Sequence, residues 1–240
     1  MKRLLPLLAL ALAAAAAPAP DRAGERELMA LTIANMAATT GLREARQLDA
    51  KVVAAMRQVP RHLFVPREIA PYAYRNTALP IGHEQTISQP YIVALMTHLL
   101  QVEPGKRVLE VGTGSGYQAA VLAQLGAKVH SIEIVEPLAR EAAVRLKTLG
   151  YGSVAVRAGD GYAGWPDAAP FDRIIVTAGA PHIPRPLLDQ LKPGGRMVIP
   201  VAAAKGGDEE LMLVEKDRRG KIRKRSILPV RFVPLVRARS

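Results

Sequence analysis

The stretch Arg107-Val-Leu-Glu-Val-Gly-Thr-Gly-Ser-Gly-Tyr117 decides the fold: an apolar strand carrying the acid Glu110, followed by glycines at 112, 114 and 116. Glycine reaches positive φ without steric cost, so this run predicts a sharp strand-to-helix turn whose bare backbone can lie against a ligand. The helix that follows presents unpaired amides and a partial positive charge at its N-terminus. A nucleotide-like ligand is implied. A dinucleotide fingerprint would place its third glycine at 117, where Tyr117 stands, and no segment fits a phosphate loop ending in Gly-Lys-Ser/Thr. The usual ATPase, kinase and dinucleotide readings are therefore set aside.

Outward from this turn the chain alternates regularly. Strand 107–111 leads to helix 116–125, strand 128–133 and helix 137–149, the last with Leu138, Ala142, Leu146 and Leu149 on one stripe. Strands near 154–158, 172–177, 196–201, 210–216 and 222–233 follow. Strand-helix alternation predicts an α/β fold with a doubly wound, mostly parallel sheet and ligands at the carboxyl ends of its strands. The last two strands are joined by the short turn Arg218-Arg219-Gly220 and must pair antiparallel. Upstream, residues 26–56 read as helical, with Val52, Val53, Met56 and Val59 on one face, Asp49 as a cap and Pro60 as a stop. Residues 61–89 carry no sustained period and read as irregular chain, and 91–100 reads as helix. Residues 21–100 thus form a helical cap and loop, and 101–240 a Rossmann-like core, within one domain 21–240.

Gly112 to Gly116, Glu133 and Gly159-Asp160-Gly161 each follow or end a predicted strand, so all three converge on one edge of the sheet. An acid two residues before Gly-x-Gly-x-Gly resembles the first motif of S-adenosylmethionine-dependent methyltransferases. That resemblance implies S-adenosyl-L-methionine as cofactor, held by Glu110, Gly112, Thr113, Gly114, Ser115 and Gly116, with Glu133 accepting the ribose hydroxyls. Asp160 would accept from the adenine amino group and Gly161 leave room for the ring. Taken alone, an Asp-Gly pair is a turn. Leu191-Lys-Pro-Gly-Gly195 is similar to the helix-to-strand turn of the same enzymes.

The segment Ala78-Leu-Pro-Ile-Gly-His-Glu-Gln-Thr-Ile-Ser-Gln-Pro90 is more specific than the glycine turn. With Val59-Pro-Arg-His-Leu-Phe-Val65, Gly159-Asp-Gly161 and Val230-Arg-Phe-Val-Pro-Leu-Val236, it resembles the protein-L-isoaspartate O-methyltransferases across residues 28–237. The resemblance implies methyl transfer to the α-carboxylate that rearranged Asp or Asn residues expose, initiating repair of damaged proteins. Ser88 matches the family's active-site serine; Thr86, Ile87 and Gln89 would line the junction of cofactor and substrate. The segment 231–235, with Val233, Pro234 and Leu235, would offer extended backbone to a peptide. A carboxylate with a pKa of about 3.5 is already ionised at neutral pH, so the reaction needs no general base. Ser88 could equally cap the helix beginning near Pro90.

Composition bounds the rest. The chain has 240 residues, 49% of them apolar, enough for a full core. It has no cysteine, which excludes disulfides, thiol nucleophiles and thiolate metal sites. Its five histidines form no metal-ligand spacing, and His83, His98 and Trp165 are read as structural. Lys2 and Arg3, an apolar run from Leu4 to Ala17 and the break Pro18-Ala-Pro20 predict a secretory signal peptide over 1–20. The mature chain would then be periplasmic or secreted, and otherwise cytoplasmic, with no membrane span. The formal charge is +12, and much of the excess lies after Lys216. Basic charge suits an anionic partner, but Arg218 to Arg225 contains no aromatic for base stacking. No nucleic-acid partner is expected, and a monomer acting on isoaspartyl proteins and peptides is. Two rivals are a nucleic-acid methyltransferase and a non-catalytic envelope protein that keeps the fold.

Overall fold

Val108, Ile175 and Val198 face one buried cluster, while their chain neighbours Leu109, Ile174 and Met197 face another. Strict alternation of this kind in strands apolar throughout is the mark of a sheet covered on both faces. The computed structural model describes residues 21–203, 206 and 208–237; the expected signal peptide lies outside them. Among the described residues no helix is long and apolar enough to cross a membrane.

The sheet comprises β3 (Arg107–Val111), β4 (Lys128–Glu133), β5 (Ala155–Ala158), β6 (Phe171–Val176), β7 (Leu191–Ala202), β8 (Glu209–Lys216) and β9 (Ile222–Val230). Their spatial order is β5-β4-β3-β6-β7-β8-β9. The strands from β5 to β7 are parallel and β8 and β9 are antiparallel, as the short turn before β9 requires. The chain runs from β3 outward to β4 and β5, then returns to β6 on the other side of β3. That reversal opens a crevice above the carboxyl ends of β3 and β6.

Helices α1 (Ala23–Thr39), α2 (Ala50–Gln58), α3 (Pro90–Leu100) and α4 (Tyr117–Gln124) supply the first cluster, which joins Met29, Val52 and Leu95 to Val108 and Val230. The helical cap and the sheet therefore share one core. Asp49 caps α2 as expected, its side chain accepting the Lys51 amide at 2.8 Å. The expected stripe of α5 (Glu136–Thr148) buries Leu138, Ala142 and Leu146, each worth roughly 1–3 kcal/mol of apolar burial. Helix α6 (Arg185–Gln190) and Trp165 help cover the second cluster.

Three expectations need correction. The stretch read as helical over 26–56 is interrupted before its expected cap at Asp49, because the chain between Thr40 and Asp49 passes through Gly41 at φ +69° and a 3-10 turn at Arg43–Ala45. The segment expected to be irregular contains a hairpin, β1 (Leu79–Gly82) and β2 (Gln85–Ile87), whose two turn residues His83 and Glu84 have φ of +51° and +58°. Strand β7 begins at Leu191, where the Lys-Pro-Gly-Gly turn was expected; Leu191 pairs with Phe171 before the register shifts.

Candidate active site

Gly112 leaves β3 with φ +97°, and Thr177 leaves β6 beside it, its hydroxyl donating to the Gly112 carbonyl at 2.7 Å. A Cβ on Gly112 would stand 2.5 Å from that hydroxyl. The two strand ends can therefore close together only around glycine. Gly114 follows at φ +51° and Gly116 at φ +89°, the latter as the cap of α4.

Glu133 ends β4 and turns back onto this loop. Its carboxylate accepts the Gly114 amide at 2.8 Å and the Val135 amide at 3.0 Å. Beneath the loop the Ser131 hydroxyl is hydrogen-bonded to Glu110 at 2.5 Å and to the Thr113 hydroxyl, also at 2.5 Å. Glu110 is fully buried, and burial pushes its carboxyl up to about 8 despite the Ser131 hydrogen bond. Its other oxygen has no partner among the described residues, nor has the buried hydroxyl of Ser115.

These groups surround a cavity of about 280 Å³. Of the expected cofactor residues, Glu110, Gly112, Thr113, Gly114, Ser115, Glu133 and Gly161 line it. Gly116 does not, being packed against Leu146. Asp160 also stands outside the lining, and its carboxylate accepts the Tyr162 amide at 2.8 Å, the local turn contact that an Asp-Gly pair makes by itself. Gly161 is spatially required, since a Cβ there would lie 2.3 Å from Val111 Cγ1.

A second cavity, of about 510 Å³, adjoins the first, running between the end of β9 and the start of α3. Thr86, Ser88, Thr177 and Val233 line both, and Ile87 lines the first and Gln89 the second. Ser88 caps nothing: Gln89 is the cap residue of α3 and makes no side-chain cap bond. Pro234 and Leu235 border the first cavity only. Their strand edge is not wholly free, because the Val233 carbonyl accepts the Gly179 amide at 2.8 Å and the Leu235 amide donates back at 2.7 Å. The groove is walled instead by residues from Leu228 to Val233.

Sequence reasoning missed Thr177, Ala178, Tyr117 and Ile134 in the first cavity. A signal existed for two of them: Thr177-Ala-Gly follows a predicted strand, where ligands gather in such sheets. It also missed Arg61, which is fully buried and donates to the Ser88 carbonyl at 2.7 Å. His98 is structural as read, accepting the Asp49 amide at 3.1 Å and contacting the Glu44 carbonyl at 2.8 Å.

The profile of the protein-L-isoaspartate(D-aspartate) O-methyltransferase family matches residues 35–240. The chain belongs to this family. It is 58% identical over 215 residues to protein-L-isoaspartate O-methyltransferase 1 of Cupriavidus necator, a match covering 89% of this chain and 83% of that one. It is 64% identical over 188 residues to protein-L-isoaspartate O-methyltransferase 2 of a Polaromonas species, covering 78% and 89%. Among solved structures, a protein-L-isoaspartate O-methyltransferase from Plasmodium falciparum in complex with S-adenosyl-L-homocysteine superposes with a TM-score of 0.74 at 25% identity, over 89% of this chain and 99% of that one. Another enzyme of this name gives 0.75 at 27% identity, with 65% of its own chain covered.

As a protein-L-isoaspartate O-methyltransferase, the chain methylates isoaspartyl residues for protein repair, and its methyl donor is S-adenosylmethionine. The first cavity fits that donor on its own chemistry. It offers an acid at a strand end, a glycine backbone that side chains would obstruct, and a buried Glu110 oxygen and Ser115 hydroxyl left without protein partners.

Proposed function

We propose that Ser88 receives the α-carboxylate of the isoaspartyl residue at the mouth between the two cavities. The carrying observation is that Ser88 lines both of them. In this reading its hydroxyl donates to one carboxylate oxygen and leaves the other facing the donor. Thr86 and Val233 narrow the same mouth, and Ile87, which is buried, keeps water from the cofactor side. Gln89 belongs to the peptide side with Leu228 to Val233. Glu133 would hold the ribose while keeping its contact with Gly114, since each carboxylate oxygen can accept more than one hydrogen bond. When bound, S-adenosylmethionine supplies a methyl group activated by its sulfonium.

The protein's contribution is position. The substrate carboxylate is ionised at neutral pH, so no side chain need take a proton; what limits the rate is alignment and exclusion of water. Pro234 and Leu235, tied to Gly179, form one rigid wall. Asp160 fixes the turn that carries Gly161 and keeps acceptor capacity toward the adenine amino group, and Gly116 starts α4 at the end of the cofactor turn. The test is methylation of an isoaspartyl peptide against its Asp isomer by wild type and Ser88→Ala. Ser88→Ala should lower turnover about 10-fold or more, the size of a lost hydrogen bond to a charged group, with cofactor affinity nearly unchanged. A large loss of cofactor affinity with turnover intact would contradict the assignment.

We further propose that the enzyme acts outside the cytoplasm where its leader is used, and otherwise in the cytoplasm, in both cases without a nucleic-acid partner. The support is Lys2 to Ala17 and, for the last point, the lack of aromatics in Arg218 to Arg225. N-terminal sequencing of protein recovered from each cell fraction decides it: an intact Met1 on cytosolic protein refutes export.

A further inference from the structure

Arg61 has no place in the chemistry described so far, and it is the largest of the fully buried side chains. It sits on the 3-10 turn Arg61–Phe64, where Pro60 stops α2. Its Nε donates to the Ala73 carbonyl at 2.8 Å and one Nη to the Ser88 carbonyl at 2.7 Å. Its guanidinium carbon lies over the Tyr117 ring, 4.8 Å from the ring centroid. Tyr117 begins α4 and lines the cofactor cavity. One guanidinium thus touches the peptide unit of the serine and the ring that starts the cofactor helix.

No carboxylate pairs with it. Among the described residues Arg61 makes no salt bridge, and its remaining Nη has no hydrogen-bond partner. A buried cation left in this state is costly compared with one that is paired. Burial pulls its pKa down to about 10, still well above neutral, so the charge is present. Arg61 itself stands behind both linings, and the one cation in them among the described residues, Arg231 on the groove, is exposed and paired with Asp208 at 2.7 Å.

We propose that Arg61 is a positioning residue for Ser88, fixing the serine's peptide unit and supplying from behind it the positive charge that an incoming carboxylate neutralises. This rests on the reading that Ser88 receives the substrate carboxylate. The two carbonyls and the aromatic face specify a guanidinium: a lysine would keep the charge, but its single Nζ cannot reproduce a planar fork aimed at Ala73 and Ser88 together.

The experiment is a double-mutant cycle of Arg61→Lys and Ser88→Ala, read as kcat and KM for an isoaspartyl peptide, with cofactor affinity by calorimetry and folding by thermal melting. Arg61→Lys should lower kcat/KM for the peptide by about 10- to 100-fold, the range expected for a lost charged hydrogen bond, while cofactor affinity changes little. In the Ser88→Ala background the same substitution should cost clearly less, since the hydroxyl that Arg61 positions is gone while the backbone carbonyl and the charge toward the carboxylate remain. Losses that multiply independently in the two backgrounds would overturn the proposal and leave Arg61 as a packing residue. Ser88→Ala with wild-type turnover would instead sink the serine assignment itself. Should Arg61→Lys fail to fold, the Nε–Hε NMR signal of Arg61 in the wild-type protein decides. It should move on addition of isoaspartyl peptide to protein holding S-adenosyl-L-homocysteine and stay still with the Asp isomer; equal responses refute the idea.

Discussion

The carboxylate of Glu133 accepts the amide of Gly114 at 2.8 Å, so a side chain from β4 holds the glycine turn that leaves β3. The same carboxylate also accepts the Val135 amide at 3.0 Å. It therefore shapes the turn before any ribose arrives. Glu133→Ala should weaken S-adenosylmethionine binding about 10-fold or more, because the ribose acceptor and the anchor of the turn vanish together. Glu133→Gln should fall between, since one amide would then meet an NH₂ donor rather than an acceptor. Calorimetric titration measures both, and an affinity within about twofold of wild type for Glu133→Ala would remove the residue from the binding site.

Glu110 makes a prediction about pH. Burial pushes its carboxyl from the ordinary 4.5 up to about 8, so in the folded protein it is protonated at neutral pH while in the unfolded chain it is ionised. Between those values the unfolded state binds fewer protons, and stability falls as pH rises. Its contribution is intact below about 4.5 and gone above about 8. Glu110→Gln keeps the shape and cannot ionise. Denaturant unfolding of the cofactor-free proteins at pH 5, 7 and 9 should show the variant gaining on wild type with each step, by a few kcal/mol at most. A difference that stays constant across this range would show that Glu110 ionises normally.

Gly112 and Gly105 separate two costs that glycine avoids. Both have positive φ, +97° and +78°, but a Cβ on Gly105 meets nothing within 4 Å, whereas one on Gly112 meets the Thr177 hydroxyl at 2.5 Å. Gly105→Ala should cost only backbone strain, about 1–2 kcal/mol, and leave cofactor affinity unchanged. Gly112→Ala adds displacement of Thr177 and loss of its bond to the Gly112 carbonyl, for a total of about 2–4 kcal/mol and a clear loss of cofactor binding. Paired thermal melts and titrations compare the two variants. Equal stability losses would mean that Thr177 yields freely.

What could be read from the chain follows a physical line. The glycine turn, Glu133 at the end of β4 and the antiparallel β8-β9 pair are local statements: backbone freedom, strand length and loop length suffice. The hairpin Leu79–Ile87 was illegible because its turn residues, His83 and Glu84, take left-handed φ without the Asn-Gly signature that such turns usually carry. Ser88 lies at its exit, so its position was visible through family resemblance and not through periodicity. Arg61 was hidden for a different reason. An arginine after a proline reads as surface, and only the tertiary arrangement of Ala73, Ser88 and Tyr117 makes it interior. Asp160 was legible through its Asp-Gly turn, where its carboxylate accepts the Tyr162 amide, and like Glu133 it keeps acceptor capacity for a ligand.

The basic C-terminal hairpin makes a prediction that charge counting alone does not suggest. β9 ends the seven-stranded sheet, and Arg223, Lys224, Arg225 and Ser226 are exposed along it. An edge strand presents unpaired amides and carbonyls to any other strand, and charged side chains are a common guard against such pairing. Arg225 is further held by Glu44, which leaves Arg223 and Lys224 as the free guards. Replacing both with valine raises strand propensity on an open edge and removes the repulsion between two like edges. The double variant should sediment faster as its concentration rises, where wild type does not, while its activity on short isoaspartyl peptides at low concentration is preserved. If the variant remains as dispersed as wild type, then the two charges do not protect the edge, and their contribution lies in the net field that draws acidic protein substrates. A salt titration distinguishes that outcome: KM for an acidic isoaspartyl protein would rise in the variant and depend less on ionic strength.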